Sequence, residues 1–251
     1  MNNLESAINS YLTGDVNSAI RLLKSYLEAN PTPPSGQAHY YLGLAYTDIG
    51  KDPEAGEYFS KALEIEPEKG IYHYQLAQVY SKMMLFQQAI PHLLKTIEQN
   101  PEHVRARFIL GSIYFKNGDL DMAAEQFSAV TRISPSYADG FYQLGNCLYY
   151  KGDEDKAKAA FLKAVELDGD LIDVHYKLGR IYSDEKAYDK AIEHLSRAYT
   201  LGMDDPSFLS HYVLTLAADG QKNRALKLIK IMEDSNPTMP ELVKLKEAVD
   251  K

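Results

Sequence analysis

Apolar and small residues return along this chain at helical spacing, and the whole pattern resets every 34 residues. Alanine recurs at Ala55, Ala89, Ala123, Ala157, Ala191 and Ala225, with Ala19 joining after a two-residue slip in the proline-rich stretch PTPPSG. Parallel series are Gly43, Ala77, Gly111, Gly145 and Gly179, then Leu42, Leu76, Leu110, Leu144 and Leu178. Tyr46, Tyr80, Tyr114 and Tyr182 form another, and Pro67, Pro101 and Pro135 the last. Slots can be counted from residues 36, 70, 104, 138, 172 and 206. Slots 4, 8 and 11 then share one face of a helix, and slots 20, 24 and 27 one face of a second. Breaks such as KNGD (116–119) and KGD (151–153) separate the two as turns. Proline at slot 32 ends the second helix at the residue before it. One such helical pair cannot bury both of its apolar faces, so the units must stack.

These residues resemble the tetratricopeptide repeat. Its signature has a large residue at slot 4, Leu at 7, Gly at 8, Tyr at 11, Ala at 20, an aromatic at 24 and Pro at 32. The resemblance covers seven units, residues 1–33, 36–69, 70–103, 104–137, 138–171, 172–205 and 206–239, six of them in unbroken register. It implies an all-α fold, a right-handed α-solenoid superhelix of about seven helix-turn-helix repeats forming a single array over 1–251. Residues 240–251 read as a capping helix, with Leu242, Leu245 and Val249 on one face and Lys244, Lys246, Glu247 and Asp250 outside it. Departures are informative. Ser6 and Ser10 replace Leu and Tyr in the first unit, so only its second helix matches well. Tyr212 and Val213 replace Leu-Gly in the last, which predicts a wider crossing. Gly169 and Met203 stand for two of the prolines, and PTPPSG is a candidate hinge.

Slots 2, 5, 9 and 12 centre roughly 130° from the packing face. In stacked tetratricopeptide repeats, that side of the first helix lines a concave groove. Slot 5 reads Tyr40, Tyr74, Phe108, Tyr142, Tyr176 and then Ser210, an aromatic ladder. Slot 12 adds Phe115 and Tyr149, and slot 9 supplies Gln78, Ser112, Asn146 and Arg180. These rings are either ligand anchors or packing that the family commonly places at slot 5. Lys82, Arg105, Lys116, Lys177 and Arg180 face Asp48, Asp139, Asp173 and Asp184, so the groove is near neutral. Its middle, Lys82 to Lys116, is locally basic and suits a peptide with acidic and apolar residues; the bland alternative is a solvated surface. In SKMMLFQQAIPH, Met84 and Leu85 replace the Gly-Asp of the turn, a possible second contact or self-association edge. Isolated exposed apolar residues are the rival account, and Pro91 follows early in the next helix.

Composition narrows the function. The net charge of −8, from 27 basic and 35 acidic residues, argues against a nucleic-acid binder. The basic residues Lys222, Arg224, Lys227, Lys230, Lys244, Lys246 and Lys251 have acids interspersed and read as a solvated helix face. The single cysteine, Cys147 in FYQLGNCLYYKGD, excludes an internal disulfide and reads as a buried, inert thiol. His39, His73 and His175 all occupy slot 4, and no two histidines stand three or four residues apart on a helix, so no metal site is expected. No phosphate-cradling loop or nucleophile elbow occurs, so neither catalysis nor a cofactor is expected. The carboxylate grip of some family members is matched only at Asn146. No apolar run is long enough to insert in a membrane, and the start carries no secretory signal. A cytoplasmic location is the expectation, although a leader already removed would leave no trace. The expected function is a non-catalytic adaptor that holds a partner's peptide segment in its groove. The alternatives are a self-assembling structural protein and the regulatory part of a larger enzyme; the capped end speaks against the latter.

Overall fold

A computed structural model describes residues 4–32 and 35–250, and no strand occurs among these described residues. The chain divides into two compact units, Met1–Ser134 and Pro135–Lys251. The first is built from four helical hairpins: α1 (Leu4–Leu12) with α2 (Val16–Ala29), α3 (Gly36–Asp48) with α4 (Asp52–Ile65), α5 (Gly70–Lys82) with α6 (Phe86–Gln99), and α7 (Val104–Asn117) with α8 (Leu120–Ile133). The second contains α9 (Ala138–Tyr150) with α10 (Glu154–Leu167), α11 (Ile172–Asp184) with α12 (Tyr188–Thr200), and α13 (Pro206–Ala218) with α14 (Lys222–Ser235). Its last helix is α15 (Glu241–Asp250). Within each unit every helix packs on the next, and first helices of neighbouring hairpins also touch at α1–α3, α3–α5, α5–α7 and α11–α13. This is the all-α solenoid arrangement. Part of the candidate hinge, residues 33 and 34, lies outside the described residues, as does Lys251.

The hairpins close by exchanging volume. At slot 24, Phe59, Phe127 and Phe161 are completely buried. A Cβ added at slot 8 would stand 2.5 Å from the Phe59 ring at Gly43, 3.0 Å from Phe127 at Gly111 and 2.5 Å from Phe161 at Gly145. The ring of the second helix therefore fills the space left by a missing side chain on the first. The slot-20 alanines, from Ala19 to Ala225, are all fully buried at the same crossings. In the last hairpin Val213 and Ile229 share one cluster instead, and α13 meets α14 over a smaller contact than the α9–α10 pair makes. Leu242, Leu245 and Val249 of α15 join that cluster and cover the hairpin's open face. Pro91 lies inside α6 on its exposed side, and the helix runs through it.

Each turn between paired helices is a Schellman closure. The slot-16 amide bonds the slot-11 carbonyl, as in Lys51 to Tyr46 (2.9 Å), Leu85 to Tyr80 (2.8 Å) and Asp119 to Tyr114 (2.9 Å). That geometry needs a left-handed residue at slot 15. Gly50, Gly118, Gly152 and Gly220 supply it without strain, whereas Met84 (φ 61°) and Lys186 (φ 59°) are forced into it. A left-handed non-glycine residue costs about 1–2 kcal/mol. Met84→Gly and Lys186→Gly should therefore each raise stability by about 1 kcal/mol in denaturant unfolding. Gly145→Ala, which meets the Phe161 ring, should lower it by about 1–3 kcal/mol.

Candidate functional site

In the first unit, the first helices of three successive repeats enclose a surface pocket of about 370 Å³. Thr47 comes from α3, Gln75, Gln78, Val79, Ser81 and Lys82 from α5, Ile109 from α7, and Asp52 from the start of α4. The Gln75 and Gln78 carboxamides and the Ser81 hydroxyl offer donors and acceptors beside Val79 and Ile109, while the Thr47 hydroxyl is donated to the Gly43 carbonyl (3.0 Å) and can only accept. Of the expected groove residues, Gln78 and Lys82 line this pocket; Arg105, Phe108, Ser112, Phe115 and Lys116 do not. Lys82 is bound to Asp52 (2.8 Å), which reduces the positive charge expected there. Lys116 lies over the Phe86 ring at 5.4 Å, and Arg105 is exposed. Ser112 turns its hydroxyl back to the Phe108 carbonyl (2.8 Å).

The slot-5 rings of Tyr40, Tyr74, Tyr142 and Tyr176 stand at the seams between repeats. Tyr40 stacks on Tyr72 of the next repeat at 4.8 Å, and Tyr74 packs on His103 at 4.4 Å. Phe108 meets Phe127 edge-on within its own hairpin. In the second unit, Tyr142 donates to Asp173 (3.3 Å) and lies under Lys177, while Tyr176 packs edge-on against Phe208. Slot 5 is one turn from slot 8, so its ring is drawn beside the packing face. Tyr74 is buried, and its hydroxyl makes no close hydrogen bond, with the Arg105 guanidinium the charged group acting on it. Asn146 is buried as well, beside Gln143, while Tyr149 meets Tyr150 and Phe161. Burial holds Lys177 below its ordinary value against the opposing effect of Asp173, and Arg180 sits over Tyr176. Met84 and Leu85 are 68% and 37% exposed.

Sequence spacing missed one arrangement. Histidines 19 positions apart meet across a hairpin: His73 Nδ1 lies 2.7 Å from His92 Nδ1, and His175 Nδ1 lies 3.0 Å from His194 Nδ1. Slot 4 and slot 23 face each other, a relation that a search at three- and four-residue spacing along one helix does not test. No group of three or more metal-binding side chains occurs among the described residues.

Family models described as tetratricopeptide repeat match residues 11–69 and 74–138, 138–171, and 172–201. The chain belongs to the tetratricopeptide repeat family. The match begins at residue 11, past the Ser6 and Ser10 departures. Among solved structures it is similar to a crystal structure of YrrB, "a TPR protein with an unusual peptide-binding site" (30% identity, TM-score 0.64, covering 68% of this chain and 87% of that one). It is also similar to a crystal structure of MamA (28% identity, TM-score 0.60, covering 65% and 94%). No curated protein matches. No helix among the described residues is long and apolar enough to cross a membrane.

Within this repeat scaffold Cys147 is completely buried, and burial pushes its thiol up to about 11. A thiol reagent at neutral pH should leave the folded chain unmodified and titrate Cys147 only after denaturation; rapid labelling of native protein would contradict the buried reading. The seam position of Tyr74 gives a second expectation. Tyr74→Phe should hold stability or raise it by up to about 1 kcal/mol, because it removes a hydroxyl that makes no close hydrogen bond. Tyr74→Ala should lose about 3 kcal/mol or more by thermal or denaturant unfolding.

Proposed function

We propose that this chain is a non-catalytic interaction scaffold whose pocket on α3, α5 and α7 binds an extended peptide segment of a partner. The observation that carries the reading is the lining: Gln75, Gln78 and Ser81 present donors and acceptors, and Thr47 an acceptor, beside Val79 and Ile109. An extended backbone offers alternating N–H and C=O groups that such side chains can meet, while Val79 and Ile109 take an apolar side chain. Exposed Arg105 and Lys116 on α7 favour acidic residues in the same segment. The similarity to YrrB, described as having a peptide-binding site, supports the same class of ligand. The seam rings act in this reading as the frame that holds the three helices in place.

Selection from a random peptide display library tests the proposal. Binders should be enriched in acidic and apolar residues, and Gln75→Ala with Gln78→Ala should weaken them about tenfold, roughly 1.4 kcal/mol. Arg105→Glu with Lys116→Glu should turn the selection away from acidic sequences. Binders insensitive to both changes would place the site elsewhere. Self-association is the second reading, favoured by exposed Leu12 (68%), Ile49 (41%), Met84 (68%) and Leu85 (37%) at or beside the hairpin turns of the first unit. Light scattering that rises with concentration in the native chain but not in Met84→Ser/Leu85→Ser would support it.

A further inference from the structure

Three hairpins carry the same stitch to the repeat before them. The slot-4 side chain bonds the preceding slot-32 carbonyl: His73 Nε2 to Pro67 (2.8 Å), Arg107 Nε to Pro101 (2.7 Å) and His175 Nε2 to Gly169 (3.1 Å). The same side chain also bonds slot 23 of its own hairpin: His92, Gln126 (3.0 Å from Arg107) and His194. One residue thus ties both a hairpin and a seam. Arg107 does so with a permanent charge, the two histidines without one.

The tautomers follow from the partners. A carbonyl only accepts, so His73 Nε2 carries a hydrogen and the neutral ring has a bare Nδ1. The hydrogen between the rings then belongs to His92 Nδ1. The same reasoning gives His194 as donor to His175. A first added proton leaves one N–H···N bond between the rings, whichever ring takes it. A second leaves both Nδ1 atoms protonated, placing two N–H groups and two charges head to head at 2.7–3.0 Å.

We propose that the His73–His92 and His175–His194 pairs are acid-labile clasps, which tie the two helices of their hairpins at neutral pH and part when both rings of a pair are protonated. Solvent protons reach the second pair through an open pocket of about 570 Å³, lined by both histidines, Glu193 and Arg197. Around the first pair, Glu68 of the preceding turn and Glu98 of α6 are both bound to Lys95, and Tyr80 of α5 lies 5.9 Å from His92. Burial first, then the facing His73, lowers His92; no charge from α4 or α7 acts on it. Around the second, burial lowers His175 and Arg197 of α12 adds to that, while the Gly169 carbonyl, Asp170 and Glu193 oppose it, the carbonyl ahead of any of the three charges. Tyr182 of α11 stacks on His194, with Lys158 of α10 and Lys190 of α12 over the Tyr182 ring. Burial, then His175, pushes His194 down from 6.5 to about 4. A depressed histidine contributes stability that is complete above 6.5 and is lost as pH falls towards 4. The first clasp sits on α5, the helix that supplies Gln75 and Gln78, but the inference stands without the peptide reading.

Amide hydrogen exchange of the whole chain, corrected for intrinsic rates, tests the clasps from about pH 7.5 to about pH 5. Protection in α5–α6 and α11–α12 should fall about tenfold more than in α7–α8, where Arg107–Gln126 is the internal control. His73→Arg with His92→Gln copies that control pair and should remove the excess loss from α5–α6 alone. Should that variant fail to fold, His92→Gln keeps a donor to His73 that cannot be protonated and should act likewise. Equal loss in all hairpins, or an unchanged pH response in either variant, would overturn the proposal. So would nitrogen NMR showing the Nδ1–H tautomer on neutral His73.

Discussion

The exchange of volume between slot 8 and slot 24 is the constraint on which the rest of the structure depends. A phenylalanine ring occupies the space where a Cβ at Gly43, Gly111 or Gly145 would stand. This complementarity brings two helices close enough for the slot-20 alanines to lie fully buried between them. Losing a slot-24 ring would leave a cavity worth about 3–5 kcal/mol. Neither partner stabilises anything alone. Glycine in a helix costs about 1 kcal/mol of propensity, and only the ring packed against it offsets that. Leucine replaces the ring at slot 24 twice, as Leu93 with Ala77 at slot 8 and as Leu195 with Gly179, where an added Cβ would stand 2.6 Å from the leucine.

The hairpin interior is apolar and fixed, but the seams between hairpins are mixed. Aromatic contacts such as Tyr40–Tyr72 and Tyr176–Phe208 alternate with polar ties from slot 4 to the preceding slot-32 carbonyl. The apolar parts are indifferent to pH. The polar ones depend on which side chain fills slot 4. The third, fourth and sixth repeats therefore present one geometry with different chemistry at slot 4.

Much of the fold was legible because a 34-residue period repeats every packing decision several times. The slots that define hairpins, Leu42 through Leu178 and Ala55 through Ala225, carry one requirement each, and residue type reports it. The candidate site was harder to read because slot 5 answers two demands. Its ring lies one turn from slot 8 and also beside the groove face, so an aromatic there serves a seam as readily as a ligand. Tyr74 is buried and packs on His103 at the head of α7, which its position on a helical wheel does not reveal. The Lys82–Asp52 pair joins residues 30 apart, and the histidine pairs join residues 19 apart; periodicity along one helix contains neither.

Met84 marks where packing stops explaining the sequence. Its backbone occupies the left-handed position that glycine fills at Gly50 and Gly118, and its side chain is 68% exposed. The strain is thus not offset by burial, and Leu85 beside it caps α6 with no side-chain hydrogen bond. In a stack where each repeat contacts only its neighbours, such a local deficit stays local. The turn after α5 can be weak while the Leu76, Leu93 and Ala89 core of the same hairpin remains buried. Repeat architecture thereby separates two kinds of position. Residues at slots 8, 20 and 24 are held by the fold, whereas those at the turns, slot 4 and the first-helix pocket are available to function.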